Sequence, residues 1–236
     1  MAANLLLSEV GGLESSSLYD LPKVLAGQGL GGYIDVGAGH PSSRNNTYLF
    51  YRLGMRGIAV DPIAVWSEAW AAQRPGDHFI CAAASSRDRR GTSLDFWIFD
   101  PYVLSTCDPL RAQDLATSAV LVERRTVTSI TLEELQATSQ LRPALVSVDV
   151  EAAEQLVIDG LDLVEKRPKL IVVEICGLIA HGGVARTPTY RMLSDKAYSL
   201  KAMVGSNFFF LDVADGDPVS RHLPLGEPLG PKHTES

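Results

Sequence analysis

Positive charge is scarce in this sequence, and that scarcity excludes one class of function. The 236 residues carry 21 Lys and Arg against 28 Asp and Glu, a formal net charge of -7. A protein that holds phosphate backbones needs a basic stripe on its surface. We therefore expect no nucleic-acid partner.

Cysteines and long apolar runs are also few. Cys81, Cys107 and Cys176 lie far apart, form no CxxC pair and are odd in number, which does not suit a disulfide framework. The N-terminus MAANLLLSEV has no basic start, and no stretch approaches the ~18 apolar residues of a membrane span. These absences predict a reducing, cytoplasmic location and no membrane partner.

The chain length suits one full-sized domain with trimmings. We predict an N-terminal extension at residues 1–30, a domain at 31–214 and an irregular tail rich in Pro and Gly at 215–236. The sequence leaves the oligomeric state open.

Short apolar runs alternate with segments of helical period from Gly31 onward. GYIDVG, GIAVDP and HFICAAAS each predict a buried strand, and NNTYLFYRLG and IAVWSEAWAAQ predict the helices between them. Farther on, ALVSVDV and KLIVVEI predict buried strands on either side of the helical EAAEQLVIDGLDLV. This alternation is typical of right-handed crossovers onto a parallel sheet. The predicted fold class is α/β with a doubly wound, Rossmann-like sheet.

Two segments depart from the alternation. Residues 86 to about 125 are predicted to be irregular around the strand-like LDFWIF, with room for an acceptor lid. Near the end, AYSLKAMVG and NFFFLDV flank Ser206 and Asn207, which predicts a β-hairpin. The sheet should therefore be mostly parallel with an antiparallel last strand.

The turn after the first strand lacks the third glycine of the dinucleotide fingerprint. Gly37, Ala38, Gly39 and His40 follow the strand, and Asp35 stands two residues before the first glycine. In the fingerprint, three glycines let a pyrophosphate lie against the next helix. A carboxylate at the tip of the strand would repel a diphosphate and attract an ammonium group, so we predict that these residues bind the phosphate-free cofactor S-adenosylmethionine.

A second acidic residue, Asp61, ends the next predicted strand. A carboxylate there can accept hydrogen bonds from both ribose hydroxyls, of NAD as well as of S-adenosylmethionine. Alternatively, Asp61 is a solvated cap for the helix after Pro62. We expect the cofactor to contact Asp61 and Pro62, with its adenine near Ala83 and Ala84.

These residues belong to a longer pattern with a family resemblance. YIDVGAGHPSSRNNTYLFYRLGMRGIAVDP resembles the opening block of the FkbM-type methyltransferases, which depend on S-adenosylmethionine. LSTCDP, TVTSITLEEL, LVSVDVEAAEQLVIDGLD and RPKLIVVEI match later blocks in order, so the resemblance covers about Tyr33 to Ile175. It implies a class I methyltransferase fold and methyl transfer to a hydroxyl of a sugar or secondary metabolite.

The chain departs from the family pattern at two positions. Ala152 stands where the family usually has the glycine of DVEG, and Asn45 stands where it often has serine. The first departure leaves the local turn geometry open.

Candidate catalytic residues follow the strands that face the expected methyl group. Asp149, Glu174 and His181 are the predicted catalytic residues, and Asp149 would also contact the cofactor. A hydroxyl is a weak nucleophile, so a base or a metal should remove or weaken its proton. If a divalent cation such as Mg²⁺ is used, Asp149, Glu151 and Glu174 are its candidate ligands. Alternatively, Asp149 and Glu151 are first-turn acids that the helix dipole favours, Glu174 is a structural partner for a neighbouring backbone amide, and His181 is a mobile surface histidine.

We therefore predict an O-methyltransferase that acts on a small hydroxylated metabolite, of sugar, glycoside or polyketide type. Two rival functions share the same pattern. A nicotinamide-dependent oxidoreductase could use a similar sheet, and a catalytically inactive module could retain the cofactor without turnover.

Overall fold

The computed structural model describes residues 31–138, 143–175 and 183–214. Within these ranges ten strands form two sheets. The strands are β1 (Tyr33–Val36), β2 (Gly57–Val60), β3 (His78–Ile80), β4 (Ala83–Ala84), β5 (Ser93–Asp100), β6 (Val120–Ile130), β7 (Leu145–Val148), β8 (Leu170–Glu174), β9 (Tyr198–Val204) and β10 (Asn207–Asp212). The predicted N-terminal extension and C-terminal tail lie outside the described residues.

Short helices connect the strands. They are α1 (Tyr48–Arg52), α2 (Trp66–Gln73), α3 (Pro109–Leu115), α4 (Leu132–Thr138), α5 (Glu154–Asp159) and α6 (Pro188–Asp195), with 3-10 turns at Arg87–Arg89, Tyr102–Leu104 and Val184–Arg186. The described ranges contain no helix in which length and apolar character together would allow a membrane crossing.

The larger sheet has the strand order β3-β2-β1-β7-β8-β10-β9. Strands β3, β2, β1, β7 and β8 pair in parallel, and β10 is antiparallel to both β8 and β9. This mixed α/β architecture with a mostly parallel central sheet confirms the predicted α/β class.

Both faces of the central strands are buried, which explains their continuous apolar runs. All residues of β1, β2 and β7 are buried. Ile34 and Val36 enter the largest apolar cluster, whereas Tyr33 enters a second cluster with Leu145 and Phe209. Because side chains alternate along a strand, a parallel sheet covered on both faces needs apolar residues at successive positions.

The strand order places a crevice between β1 and β7. The chain leaves β1 toward β2 on one side and leaves β7 toward β8 on the other, so the connections diverge at this point. Ligands of open parallel sheets bind at such a switch point, beyond the carboxyl ends of the strands. Gly37 and Asp149 are the first residues beyond β1 and β7.

Two predictions about the elements are wrong. HFICAAAS is not one strand, because the chain turns after β3 and Ala83 and Ala84 pair with Ser129 and Ile130 of β6 instead. The strand-like LDFWIF lies within β5, as predicted, but the segment predicted to be irregular also contains α3 and the start of β6, and β5 pairs antiparallel with β6 over Ser93–Asp100 to form the second sheet. Nothing in the local pattern specifies this pairing, because β5 and β6 are separated by α3.

Candidate active site

The glycine turn lies directly against the end of β7. Gly37 has φ +69°, and a Cβ there would lie 1.6 Å from the backbone oxygen of Asp149. Gly39 has φ +51°, and a Cβ there would meet no atom within 4 Å. The first glycine is therefore required by close backbone packing, and the second leaves open space above the turn.

Asp61, the residue after β2, connects the glycine turn to the end of that strand by a hydrogen bond. Its two carboxylate oxygens accept hydrogen bonds from the backbone N–H groups of Gly39 at 2.9 Å and Ile63 at 2.8 Å. Asp61 is buried, and desolvation raises its pKa to about 6. Asp61 is therefore not a solvated helix cap, although its side chain does accept a hydrogen bond from the backbone N–H of Ile63, two residues later in the chain. Pro62, which follows it, is half-buried.

Asp35 lies beneath the loop rather than at its surface. Its side chain is 3% exposed, and Oδ2 accepts hydrogen bonds from Asn45 at 2.8 Å and Thr47 at 2.7 Å. Burial raises the pKa of this carboxyl, while the bonds from Thr47 and Asn45 and the nearby Arg74 guanidinium oppose the rise. Any effect of Asp35 on a ligand is transmitted through the loop that it holds.

His40 organises the loop that follows the glycine turn. Its Nδ1 accepts the backbone N–H groups of Ser42 at 3.2 Å and Ser43 at 3.1 Å, so Nδ1 carries no proton in this arrangement. The ring meets Trp66 edge to face at 5.6 Å, and Trp66 meets Tyr102 in the same way at 5.9 Å. The histidine therefore links the loop to the second sheet.

The predicted adenine neighbours lie in the second sheet. Ala83 is buried and Ala84 half-buried, and both belong to β4. Ala38, inside the glycine turn, is buried in a cluster with Ala59 and Trp70.

Three carboxylates meet at the carboxyl ends of β7 and β8. Asp149, Glu151 and Glu174 each place an oxygen within 4.8 Å of the others. The pKa of Asp149 is raised well above its usual value, by burial first and then by its hydrogen bond to Glu174, while that bond holds the pKa of Glu174 below its usual value. The two carboxyls therefore titrate as a pair, and the directions of the two pKa shifts favour the proton on Asp149 and the charge on Glu174.

Neighbouring groups orient the pair. Ser206 donates a hydrogen bond of 2.6 Å to Glu174 Oε1. Glu151 forms an ion pair of 2.9 Å with Arg111 of α3, and its backbone oxygen accepts a hydrogen bond from Thr106. The segment between β5 and β6 thus closes one side of the crevice, where the sequence predicted a lid.

Two cavities within the described residues lie away from these carboxylates. One of about 250 Å³ beside α2 and β3 is lined by residues that include Trp70, Phe79 and Cys81. One of about 130 Å³ lies between the end of β2 and the second sheet. We place the site by the strand ends and the carboxylates, because chemistry needs reactive groups as well as space.

Sequence reasoning missed the residues that hold the loop from below. Asn45 and Arg74 are both buried and join Asp35, Thr47 and Pro41. No motif marks Arg74, because its loop partners are distant in sequence, and the family pattern includes Asn45 without indicating what its side chain contacts. The predicted catalytic His181 lies outside the described residues and stays a prediction.

The backbone turn after β7 is strained at Ala152, the position of the first family departure. Glu151 has φ +53° and Ala152 φ +82°, a region that costs a residue with a Cβ about 1 kcal/mol. Ala152→Gly should therefore raise the free energy of unfolding by about 0.5–1 kcal/mol in urea denaturation. The neighbouring Ala153→Gly is the matched control: Ala153 has φ -102° and is buried, so that variant should be less stable. An equal loss of unfolding free energy in Ala152→Gly and Ala153→Gly would contradict backbone strain at Ala152.

Glu154 is a buried acid at the start of α5, and burial raises its pKa from 4.5 to about 7. The folded state thus binds this proton more tightly than the unfolded chain, so stability is lost as pH rises from 4.5 through 7. Glu154→Gln imitates the protonated acid and should be about 3 kcal/mol more stable than wild type at high pH, with little difference at low pH. Denaturation across pH, with the exposed Glu133→Gln as control, measures this; a constant difference would refute it.

Comparison with known proteins gives one match. A family model described as "Methyltransferase FkbM domain" matches residues 35–200. No curated protein and no solved structure matches the chain.

Proposed function

The chain belongs to the FkbM methyltransferase family, and we propose that it transfers the methyl group of S-adenosylmethionine to a hydroxyl of a small metabolite of sugar, glycoside or polyketide type. One observation carries the proposal: the glycine turn packs against Asp149, the proton-holding member of the Asp149–Glu174 pair. A cofactor over the turn would thus lie beside a carboxyl pair in which Glu174 is the proton acceptor. The strand order, with β10 antiparallel, supports a doubly wound class I arrangement.

The residues present fit S-adenosylmethionine. The space over Gly39 admits a ligand close to the backbone, and the remaining lone pairs of Asp61 suit ribose hydroxyls. Gly37, Ala38, Gly39 and His40 would line the methionine portion, with adenine toward Pro62, Ala83 and Ala84.

The turn fits a diphosphate cofactor poorly, because its amides are already bonded. The N–H groups of Gly37 and Ala38 donate to Val60 O, and that of Gly39 donates to Asp61. Those of Ser42 and Ser43 donate to His40. A pyrophosphate needs free N–H groups and a helix N-terminus, so this arrangement argues against a nicotinamide cofactor.

The carboxylate pair would accept the proton of the acceptor hydroxyl. The cofactor supplies an electrophilic methyl group on a sulfonium, and the hydroxyl must be held behind that group in line. Glu174, ionised and oriented by Ser206, would accept the hydroxyl hydrogen bond and take the proton as the new O–C bond forms and the bond from the methyl carbon to sulfur breaks, which leaves a neutral thioether. His181 remains the second candidate base.

The part of the site that would receive the methyl-accepting substrate contains mostly oxygen atoms that accept hydrogen bonds. Such a lining favours substrates rich in hydroxyl groups. Besides the three carboxylates, Asn207 lies beside Glu174 in the sheet and its Oδ1 accepts a bond of 3.0 Å from Asn46. Such a site suits a polyol and repels an anionic acceptor.

A divalent cation at Asp149, Glu151 and Glu174 is the alternative means of activating the hydroxyl. Arg111 already neutralises Glu151, and a proton links the other two acids. We therefore propose metal-free catalysis, for which EDTA leaves the rate unchanged; a rate lost with EDTA and restored by Mg²⁺ would support the cation.

The experiment is methyl transfer itself. The purified chain is incubated with cofactor labelled at the methyl group and a panel of neutral glycosides and polyketides, while calorimetry compares S-adenosylmethionine with NAD. We expect cofactor binding without NAD binding, and label on at least one acceptor hydroxyl. Binding without transfer to any acceptor would favour the inactive module, and NAD binding would overturn the assignment.

A further inference from the structure

A buried arginine lies directly beneath the glycine turn. Arg74, just after α2, has no solvent exposure, and its guanidinium makes five hydrogen bonds. Its partners are Asp77 at 2.7 Å, Pro41 O at 3.0 Å, Asn45 Oδ1 at 2.9 Å, Thr47 Oγ1 at 2.9 Å and the Tyr33 hydroxyl. One side chain thus connects β1, the loop after it and the start of β3.

The loop between Gly39 and Thr47 is held by hydrogen bonds to side chains of α2 and of Arg74. The indole of Trp70 donates to Gly39 O at 2.8 Å, and Ser42 donates to Gln73 at 2.7 Å. Trp70 and Arg74 are four residues apart, so they lie on the same side of α2. Together they fix the carbonyls of Gly39 and Pro41.

Arg74 also supports the two groups that hold Asp35. Asn45 Oδ1 accepts from Arg74 while its Nδ2 donates to Asp35, and Thr47 Oγ1 accepts from Arg74 while donating to Asp35 at 2.7 Å. The guanidinium therefore sets which way the amide and the hydroxyl point. Both carboxylate contacts of Asp35 depend on it.

The charge of Arg74 is balanced locally. Asp77, itself buried, forms the ion pair, and the aromatic rings of Trp70, Tyr51 and Tyr33 lie 4.2, 5.1 and 5.2 Å from the guanidinium carbon. Burial and the bond to Asp77 raise the pKa of Tyr33, so its hydroxyl keeps its proton. A planar fork with five donors serves this set of partners, whereas a lysine ammonium has only three donors and no planar face.

We propose that Arg74 is a positioning residue for the cofactor: it holds the Gly39–Thr47 loop in the shape that receives S-adenosylmethionine without touching the ligand. The inference rests on the proposed function. Arg74 lies below the loop and the open space of Gly39 lies above it. Loss of the guanidinium should therefore loosen the loop. It should raise the Kd for the cofactor more than it raises KM for the methyl acceptor.

Arg74→Lys and Arg74→Met are compared with a matched control, Arg167→Lys. Arg167 also pairs with a buried acid, Asp212, at 2.7 Å, donates to backbone carbonyls and lies over a tyrosine ring at 4.7 Å. It binds the end of β10 far from the turn. The Arg167→Lys variant therefore measures the loss of stability that follows from replacing a buried, paired arginine outside the glycine turn.

Two measurements are made on the full chain. Hydrogen exchange of residues 39–47 needs no cofactor, and both Arg74 variants should exchange faster there than wild type and Arg167→Lys. Calorimetry should show cofactor Kd raised about ten- to a hundredfold in Arg74→Lys, with KM for the acceptor little changed, and unchanged Kd in Arg167→Lys despite a similar fall in Tm.

The outcomes separate the two proposals. Faster loop exchange with no cofactor binding by wild type would sink the proposed function and leave the loop-holding role of Arg74 standing. Loop exchange and Kd equal to wild type in Arg74→Lys would overturn the positioning role. If Arg74→Lys and Arg74→Met do not fold, the contacts to Pro41 O and Asn45 Oδ1 are tested through Arg74→Gln, which keeps a side-chain amide donor in place of the guanidinium, with the same expected direction and the same refutation.

Discussion

Glu174→Gln should lower kcat by about 10²- to 10⁴-fold, the usual contribution of a general base, with little change in cofactor affinity. The variant keeps the size of the side chain and the bond from Ser206, but it removes the ionised oxygen that accepts the hydroxyl proton. Because the pKa of Glu174 lies below its usual value, wild-type activity should be lost with falling pH only below the ordinary glutamate range. Steady-state rates across pH measure both effects.

The control is Glu133→Gln, an exposed acid that pairs with the surface Arg87. Asp149→Asn should also be impaired, and the double variant Asp149→Asn with Glu174→Gln should lose less than the sum of the two single effects, because the residues share one proton. Full activity of Glu174→Gln, or strictly additive losses, would remove the pair from the mechanism.

Gly37→Ala should cost about 3 kcal/mol or more of folding free energy and abolish cofactor binding. The new Cβ would lie 1.6 Å from Asp149 O and 2.7 Å from its carbonyl carbon, and backbone atoms cannot swing aside as a side chain can. The positive φ adds strain. Thermal denaturation and calorimetry measure the two losses.

Gly39→Ala tests whether the space above Gly39 is occupied by a ligand, because no atom of the described residues lies there. Its Cβ would meet no atom within 4 Å, so only the φ of +51° should cost stability, about 1 kcal/mol. Cofactor affinity should nevertheless fall sharply, because the methyl group occupies the open space above the turn. Unimpaired cofactor affinity in Gly39→Ala would place the ligand elsewhere.

These substitutions address different layers of one site. Gly37 lets the turn approach β7, the acid pair meets at the ends of β7 and β8, and Arg74 holds the loop from below. A loop of this kind has little regular backbone pairing, so buried side-chain hydrogen bonds determine its shape.

The sequence by itself determined the alternating strands and helices of the central sheet, the glycine turn and the acids at the strand ends. Strand pattern depends on the apolar period of a few neighbouring residues, and parallel strands bring their carboxyl ends to one edge. Asp149 and Glu174 could therefore be placed together before any coordinates were known.

Only the tertiary structure decided what Asp35 contacts, that Arg74 lies beneath the loop, and that β5 pairs with β6. Asp35 was predicted to face the ligand, yet its carboxylate is enclosed by Asn45 and Thr47. Arg74 meets partners 27 to 41 residues away. Local periodicity carries no information about such contacts, because they form only when distant segments are brought together by burial of the common core.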